Sequence, residues 1–144
     1  MSLNQTNSDW EALGKEEPLW AILNEKDHSQ EWDDNEFFER GKAEISEALH
    51  YIKDKNISLS NSKALDFGCG AGRLTQAISE YFNDVHGVDA ASSMIELANS
   101  YNRYKNKCHY HVNKKNDLQM FESNTFDFIY SNIVLQHIEP KYSR

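Results

Sequence analysis

The chain has 144 residues, of which 39% are hydrophobic and 26% charged, with a formal net charge of -8. That is the size of one domain with ordinary globular composition, which excludes a wholly disordered chain. The excess of acid repels phosphate backbones and makes nucleic acid an unlikely partner, although a locally held RNA is still allowed.

No apolar run approaches the roughly 20 residues that cross a bilayer, so no membrane partner is expected. Residues 1–9 lack the basic and apolar stretches of a secretory signal. Cys69 and Cys108 have no C-x-x-C spacing. They are read as reduced thiols in a cytoplasmic setting, with no metal site and no disulfide framework.

Residues 1–34 read as a polar arm or lid carrying Trp10, Trp20 and Trp32, with the first ten residues frayed. From residue 35 to 56 the pattern turns helical. Phe38, Ile45, Leu49 and Ile52 fall on one face, with charged residues between them. Gly41 weakens this helix locally, by about 1 kcal/mol at most. A strand is predicted over 63–67, then a glycine-rich turn, then a helix over 73–82. A second strand covers 85–89. Ser92 is read as the cap of a helix that runs from 93 to about 101, packed through Met94, Ile95, Leu97 and Ala98. Third and fourth strands follow over 108–112 and 126–131. Strands alternating with helices imply a parallel sheet with right-handed crossovers, an α/β fold formed by residues 35–144.

The most informative stretch is Asp66-Phe67-Gly68-Cys69-Gly70-Ala71-Gly72. A strand that turns at once into a helix needs residues without Cβ, and glycines let a ligand lie against main-chain amides. The spacing is G-x-G-x-G rather than the G-x-G-x-x-G of dinucleotide sites; Arg73 stands where the third glycine of that pattern would fall. Asp89, 23 residues after Asp66, ends the next strand. A carboxylate there can accept both hydroxyls of a ribose. The expectation is that the amides of the turn stand bare beside a nucleoside whose sugar Asp89 grips.

These residues resemble class I S-adenosylmethionine-dependent methyltransferases. Residues 64–75 look like the family's first motif, His86-Gly87-Val88-Asp89-Ala90-Ala91-Ser92-Ser93-Met94 like its second, and residues 126–138 like its fourth-strand motif and following loop. The resemblance covers roughly residues 63–140. It implies a Rossmann-like, mainly parallel sheet of strand order 3-2-1-4, incomplete relative to the family's seven strands. It implies S-adenosylmethionine as cofactor and S-adenosylhomocysteine as product. Asp66 and the backbone of Gly68 would lie by the methionine part of the cofactor, with Cys69, Gly70 and Gly72 shaping the turn beneath it. Asp89 would hold the ribose, Ala90 and Met94 would approach the adenine, and the Ser131 carbonyl would face the cofactor amino group. The family's acid after the third strand is missing; Asn113 or a backbone group stands in for it.

Methyl transfer needs orientation, and a base only where the acceptor must lose a proton. His137 is the candidate catalytic residue, as base or as wall of the methyl site. The plainer reading is a residue that hydrogen-bonds its own loop. Arg40 could reach the cofactor carboxylate, but reads better as an exposed helical arginine. His109 and His111 alternate on one strand face as ordinary strand residues. Cys69 has no base arranged beside it and is not read as a nucleophile.

A helix start is expected at Glu139-Pro140-Lys141, and the chain then ends at Arg144, before the family's fifth strand and terminal hairpin. The fourth strand would then be an open edge, from which a homodimer through the fourth strands is expected. The acceptor is read as a small molecule, because the Asn/Asp-Pro-Pro-Tyr/Phe signature of nucleobase and amide methylation is replaced by Ser131-Asn132-Ile133-Val134. The alternatives are a non-catalytic module that holds S-adenosylmethionine or S-adenosylhomocysteine, or an inactive fragment.

Overall fold

The computed structural model describes residues 3–16, 18–23 and 32–141. Four parallel strands form one sheet: β1 (Lys63–Phe67), β2 (Asp84–Asp89), β3 (Cys108–Val112) and β4 (Phe128–Tyr130), in the order β3-β2-β1-β4. This is the Rossmann-like arrangement that the alternating pattern predicts. The helices are α1 (Leu3–Glu16), α2 (Pro18–Ile22), α3 (Asp34–Asp54), α4 (Arg73–Ile78) and α5 (Ser92–Tyr101), with a 3-10 turn at Leu135–His137.

The order explains where everything else goes. From β1 to β2 to β3 the chain steps in one direction, so right-handed crossovers put α4 and α5 on the same face of the sheet. From β3 it returns past β1 to β4, so segment 113–127 crosses the opposite face. The reversal falls between β1 and β4. In open α/β sheets, ligands bind beyond the carboxyl ends of the strands at such a reversal.

The helix-covered face carries the core. Ala64, Val85 and Phe128 of the strands pack with Ile45 of α3, Leu74, Ala77 and Ile78 of α4, and Phe82. Phe82 and Phe128 stack with ring centroids 5.3 Å apart. A second cluster joins Leu23, Trp32, Phe37, Phe38 and Ala71, with Leu97 and Tyr101 of α5 against it. Trp32 Nε1 donates to the Leu23 carbonyl (2.9 Å), a bond within the arm, whose Leu23 and Trp32 side chains then pack with Phe37, Phe38 and Ala71.

Gly41 is explained by packing. A Cβ there would lie 2.8 Å from the Arg73 carbonyl oxygen, so the glycine lets α3 touch the start of α4.

Several predicted boundaries move. The first ten residues are not frayed as a block, because α1 is helical from Leu3. α4 ends at Ile78, not 82: the Tyr81 amide bonds to Ile78 O and the chain turns toward β2. β4 spans 128–130 rather than 126–131. Ser92 does not cap α5; it is the first helical residue, and the N-cap is Ala91, which has no side-chain oxygen. Glu139 to Lys141 are irregular and turn; any helix beyond them lies outside the described residues. No described helix is long and apolar enough to cross a membrane.

Candidate functional site

The glycine turn sits at the carboxyl end of β1, beside the reversal point. Gly68, Gly70 and Gly72 all have positive φ (77°, 50° and 82°), a region that favours glycine over any other residue. Close contacts add a second reason. A Cβ on Gly68 would lie 2.3 Å from Val134, one on Gly70 2.8 Å from Ile22 of α2, and one on Gly72 2.4 Å from the Tyr110 hydroxyl.

Asp89 ends β2 next to this turn. Its Oδ2 accepts from the Gly70 amide and its Oδ1 from the Ala91 amide, both at 2.9 Å. Burial pushes its carboxyl above the usual range, and these amide bonds oppose that shift. Proximity of acid and turn is therefore as expected, but the amides are not bare. Those of Gly68 and Cys69 bond to Val88 O, that of Gly72 to Cys69 O, and that of Gly70 to Asp89. The turn is held rigid by its own bonds, so a nucleoside would meet shape and carboxylate rather than a row of free donors.

Asp66 points elsewhere. It is 1% exposed, and its Oδ2 accepts from the Thr75 hydroxyl at 2.7 Å. Burial pushes its carboxyl up to about 7, against the pull of Thr75 and Arg73. Side chains alternate along a strand, so Asp66 shares the helix-covered face with Ala64. That signal was present in the sequence. Cys69 is buried beside Asp66, and burial raises its thiol far above the ordinary value, which makes it inert.

Ser131 donates from Oγ to the Phe67 carbonyl (2.9 Å), tying the end of β4 to the end of β1. Asn113 lies beside Asp89 through its backbone, since its amide bonds to Asp89 O at 2.8 Å. Its side chain is turned into its own loop, onto Asp117 O and the Lys115 amide. Ala90 is half-buried, and Met94 is buried at the interface between α5 and α1.

His137 is exposed in the 3-10 turn. Its Nε2 lies 3.1 Å from the Gln136 side chain, and its ring meets Trp10 edge-on at 5.3 Å. Arg40 is exposed, lies over the Trp32 ring and has Nε 3.7 Å from Glu36.

Two contributors, Glu11 and Glu44, carry no signal in the sequence, and Trp10, an aromatic of the arm, joins them. Trp10 and Glu11 of α1 reach the site from the arm. Glu44 of α3 gathers Arg73 Nη2 (2.8 Å), the Tyr130 hydroxyl (3.0 Å) and Asn132 Nδ2 (2.6 Å), and so steadies the loop that carries Val134 and His137. Burial and the Glu44 carboxylate push the Tyr130 phenol up to about 12. Their sequence separations of 29, 86 and 88 residues leave no local signal.

Residues 64–144 match the family model described as a methyltransferase domain. The chain is 29% identical over 100 residues to a ubiquinone biosynthesis O-methyltransferase of Glaesserella parasuis, covering 66% of this chain and 42% of the relative. It is 36% identical over 81 residues to a phosphoethanolamine N-methyltransferase of Plasmodium falciparum, covering 54% of this chain and 29% of that protein. The chain thus spans less than half the length of these relatives. Among solved structures, it is similar to Haemonchus contortus phosphoethanolamine N-methyltransferase 1 in complex with phosphoethanolamine and S-adenosylhomocysteine. The TM-score is 0.74 at 17% identity, over 98% of this chain and 27% of that one. It also resembles a Leishmania major S-adenosylmethionine-dependent methyltransferase, with a TM-score of 0.70 at 16% identity over 97% of this chain and 51% of the other. At these identities the structural likeness shows the fold.

Proposed function

Since the chain belongs to the family of methyltransferase domains, we propose that it binds S-adenosylmethionine and directs its methyl group to a small-molecule acceptor. The observation that carries the reading is Asp89 at the end of β2, 2.9 Å from the Gly70 amide, beside the strand-order reversal. The residues fit a nucleoside: a carboxylate for a vicinal diol, beside a tight turn of positive-φ glycines on which Val134 and Ile22 close. When bound, the sulfonium supplies an electrophilic methyl group. Asp89 accepts the ribose hydroxyls, the backbone of Asn113 and the half-buried Ala90 flank the adenine, and the Ser131 carbonyl takes the cofactor amino group. Asp66 supports the turn from below through Thr75 rather than touching the cofactor side. The arm formed by α1 and α2 acts as a lid, with Ile22 on Gly70 and Trp10 on His137.

His137 serves as proton acceptor where the acceptor must lose a proton, and as wall of the site where it need not. A second reading, a module that binds the cofactor without turnover, is favoured by the setting of His137. Its hydrogen-bond neighbour is an amide, Gln136, not a carboxylate that would orient the ring and stabilise its charged form. A homodimer through β4 belongs to the same proposal: among the described residues β4 pairs with β1 alone, and Ile129 is 61% exposed.

Calorimetry with S-adenosylhomocysteine tests the binding claim. Asp89→Ala is expected to weaken binding about 10- to 100-fold, the loss of hydrogen bonds to a charged group. Unchanged affinity would remove the basis of the reading. Turnover of a panel of small hydroxyl and amine acceptors, measured by release of S-adenosylhomocysteine, separates enzyme from module.

A further inference from the structure

Helix α5 begins three residues after Asp89, and its first turn is capped from far away. Its N-cap, Ala91, makes no side-chain cap bond. Instead, Glu11 of α1 places Oε2 2.7 Å from the Ser92 amide and Oε1 3.2 Å from the Ser93 amide, 81 and 82 residues along the chain. The Ser93 hydroxyl donates back to the Glu11 carbonyl at 3.1 Å. One turn further along α1, Gly14 lets the two helices touch: a Cβ there would lie 2.3 Å from Ser93 Oγ and 3.3 Å from Met94 Cγ. A carboxylate is well suited to this place, because the first amides of a helix have no intrahelical acceptor and carry its positive dipole end. Glu11 is also adjacent to Trp10, whose ring packs on His137.

We propose that Glu11 is a positioning residue of the methyl-transfer site. By closing the N-terminus of α5 it fixes α1 across the carboxyl ends of the strands, and so holds Trp10 against His137. The inference rests on the proposed cofactor reading and deepens it. One turn of α1 joins the helix that follows the ribose carboxylate to the loop that carries the candidate base. A bound nucleoside and a seated α1 therefore support each other. A ligand that favours the closed arm binds less tightly when the closed arm is less populated.

Two readouts test this on the full chain. The first is calorimetric affinity for S-adenosylhomocysteine. The second is the rate of tryptic cleavage at Lys15, which lies in α1 with its ammonium 3.7 Å from Glu11 Oε1, so that Gly14→Val, which leaves both of these residues in place, is the control for the loss of that pair. Glu11→Ala is expected to lower affinity about fivefold, the scale of a lost helix cap, and to speed cleavage several-fold; S-adenosylhomocysteine should slow cleavage of the wild type much more than of the variant. Glu11→Gln, which keeps an acceptor for one amide, should fall between. Gly14→Val, which lifts α1 without touching the carboxylate, should behave like Glu11→Ala and decides the matter if that variant folds poorly. Adding Ala91→Ser to Glu11→Ala supplies α5 with a local cap. If this alone restores affinity and cleavage rate, Glu11 is a cap and nothing more, and the proposal fails. It fails equally if Glu11→Ala and Gly14→Val match the wild type in both readouts. If the wild type does not bind S-adenosylhomocysteine, the cofactor reading falls, and the cleavage rates of the variants still decide whether Glu11 holds α1.

Discussion

The two faces of the sheet are made of different material. On the face under α3, α4 and α5, the strands present Ala64, Val85 and Phe128, together with the neutral-leaning acid Asp66. On the other they present Lys63, Asp84, His86, His109, His111 and Ile129. His86 Nδ1 lies 2.8 Å from His111 Nε2, and the two rings stack at 5.0 Å. Phe121 and Phe126 of the crossing segment pack edge-on against His86. Asp84 pairs with Lys63 (2.9 Å) and lies close to His86 and His109. The first face holds the fold together by excluding water; the second sets polar contacts that depend on protonation around the buried Leu65 and Val88. The glycine turn belongs to the first face, since its supports, Thr75, Tyr110 and Arg73, all come from there.

The largest expected effect tests the first face. Ile45 is fully buried in the centre of the core. Ile45→Ala should cost about 3–4 kcal/mol in urea unfolding, whereas Ile129→Ala on the other face should change stability by less than about 0.5 kcal/mol. Comparable losses at both positions would erase the contrast.

Asp66 tests the same face through pH. Its folded-state value of about 7 lies above the ordinary 3.8 of an aspartate, so the folded chain binds the proton more tightly. Its contribution to stability is fully present below about 4 and is lost as pH rises through 7. Asp66→Asn keeps an acceptor for Thr75 and removes the charge. It should stabilise the chain at pH 8 by roughly 2–4 kcal/mol, with the gain vanishing near pH 3. A destabilised variant at pH 8 would show that the carboxylate itself is needed beneath the turn.

Gly41 sets local propensity against packing. Alanine gains about 1 kcal/mol in a helix interior, but here its Cβ would press on backbone, 2.8 Å from the Arg73 carbonyl. The backbone cannot swing aside as a side chain can. Gly41→Ala should lower stability by about 1–2 kcal/mol and loosen the Arg73–Glu44 pair, visible as a drop in melting temperature. A rise would mean that α3 can move away at no cost.

What the sequence disclosed follows the same division. β1 and β3 were legible to the residue and β2 to within one, because short runs bounded by turns announce strands. The order 3-2-1-4 came from the resemblance carried by three motifs. α1 was not legible: its apolar residues are sparse, and much of what seats it is Glu11 on an amide pair 81 residues away. A serine before an apolar run is the usual local signal of a cap and points to Ser92, whereas the acceptor at the start of α5 is Glu11, far away in the chain. For Asp66 the family pattern named the residue, while strand alternation, read on its own, pointed its side chain to the core.

The second face yields the smallest effect and the sharpest test of its character. Burial lowers the values of both His86 and His111; the neighbouring imidazoles lower them further, and Asp84 works in the opposite direction. The groups facing them are Asp84 and Lys63 on the sheet, His109 on β3, and the uncharged rings of Phe121 and Phe126 from the crossing segment. A hydrogen bond between two imidazoles needs one nitrogen to donate and the other to accept, so it survives one proton and not two. A base whose folded value lies below the unfolded 6.5 takes up its proton first in the unfolded chain. Stability from this pair is therefore complete above 6.5 and declines as pH falls through the lowered values. Between pH 7.5 and 5.5 the pair's own contribution to the melting temperature should fall by a few degrees. Over that same range Asp66 acts in the reverse sense, so the pair must be isolated by difference. His86→Gln with His111→Gln should flatten the loss, and the difference between the two profiles should appear only below about 6.5. Parallel profiles would mean that the imidazoles titrate alike in both states, and that this face is tied down by Phe121 and Phe126 rather than by its histidines.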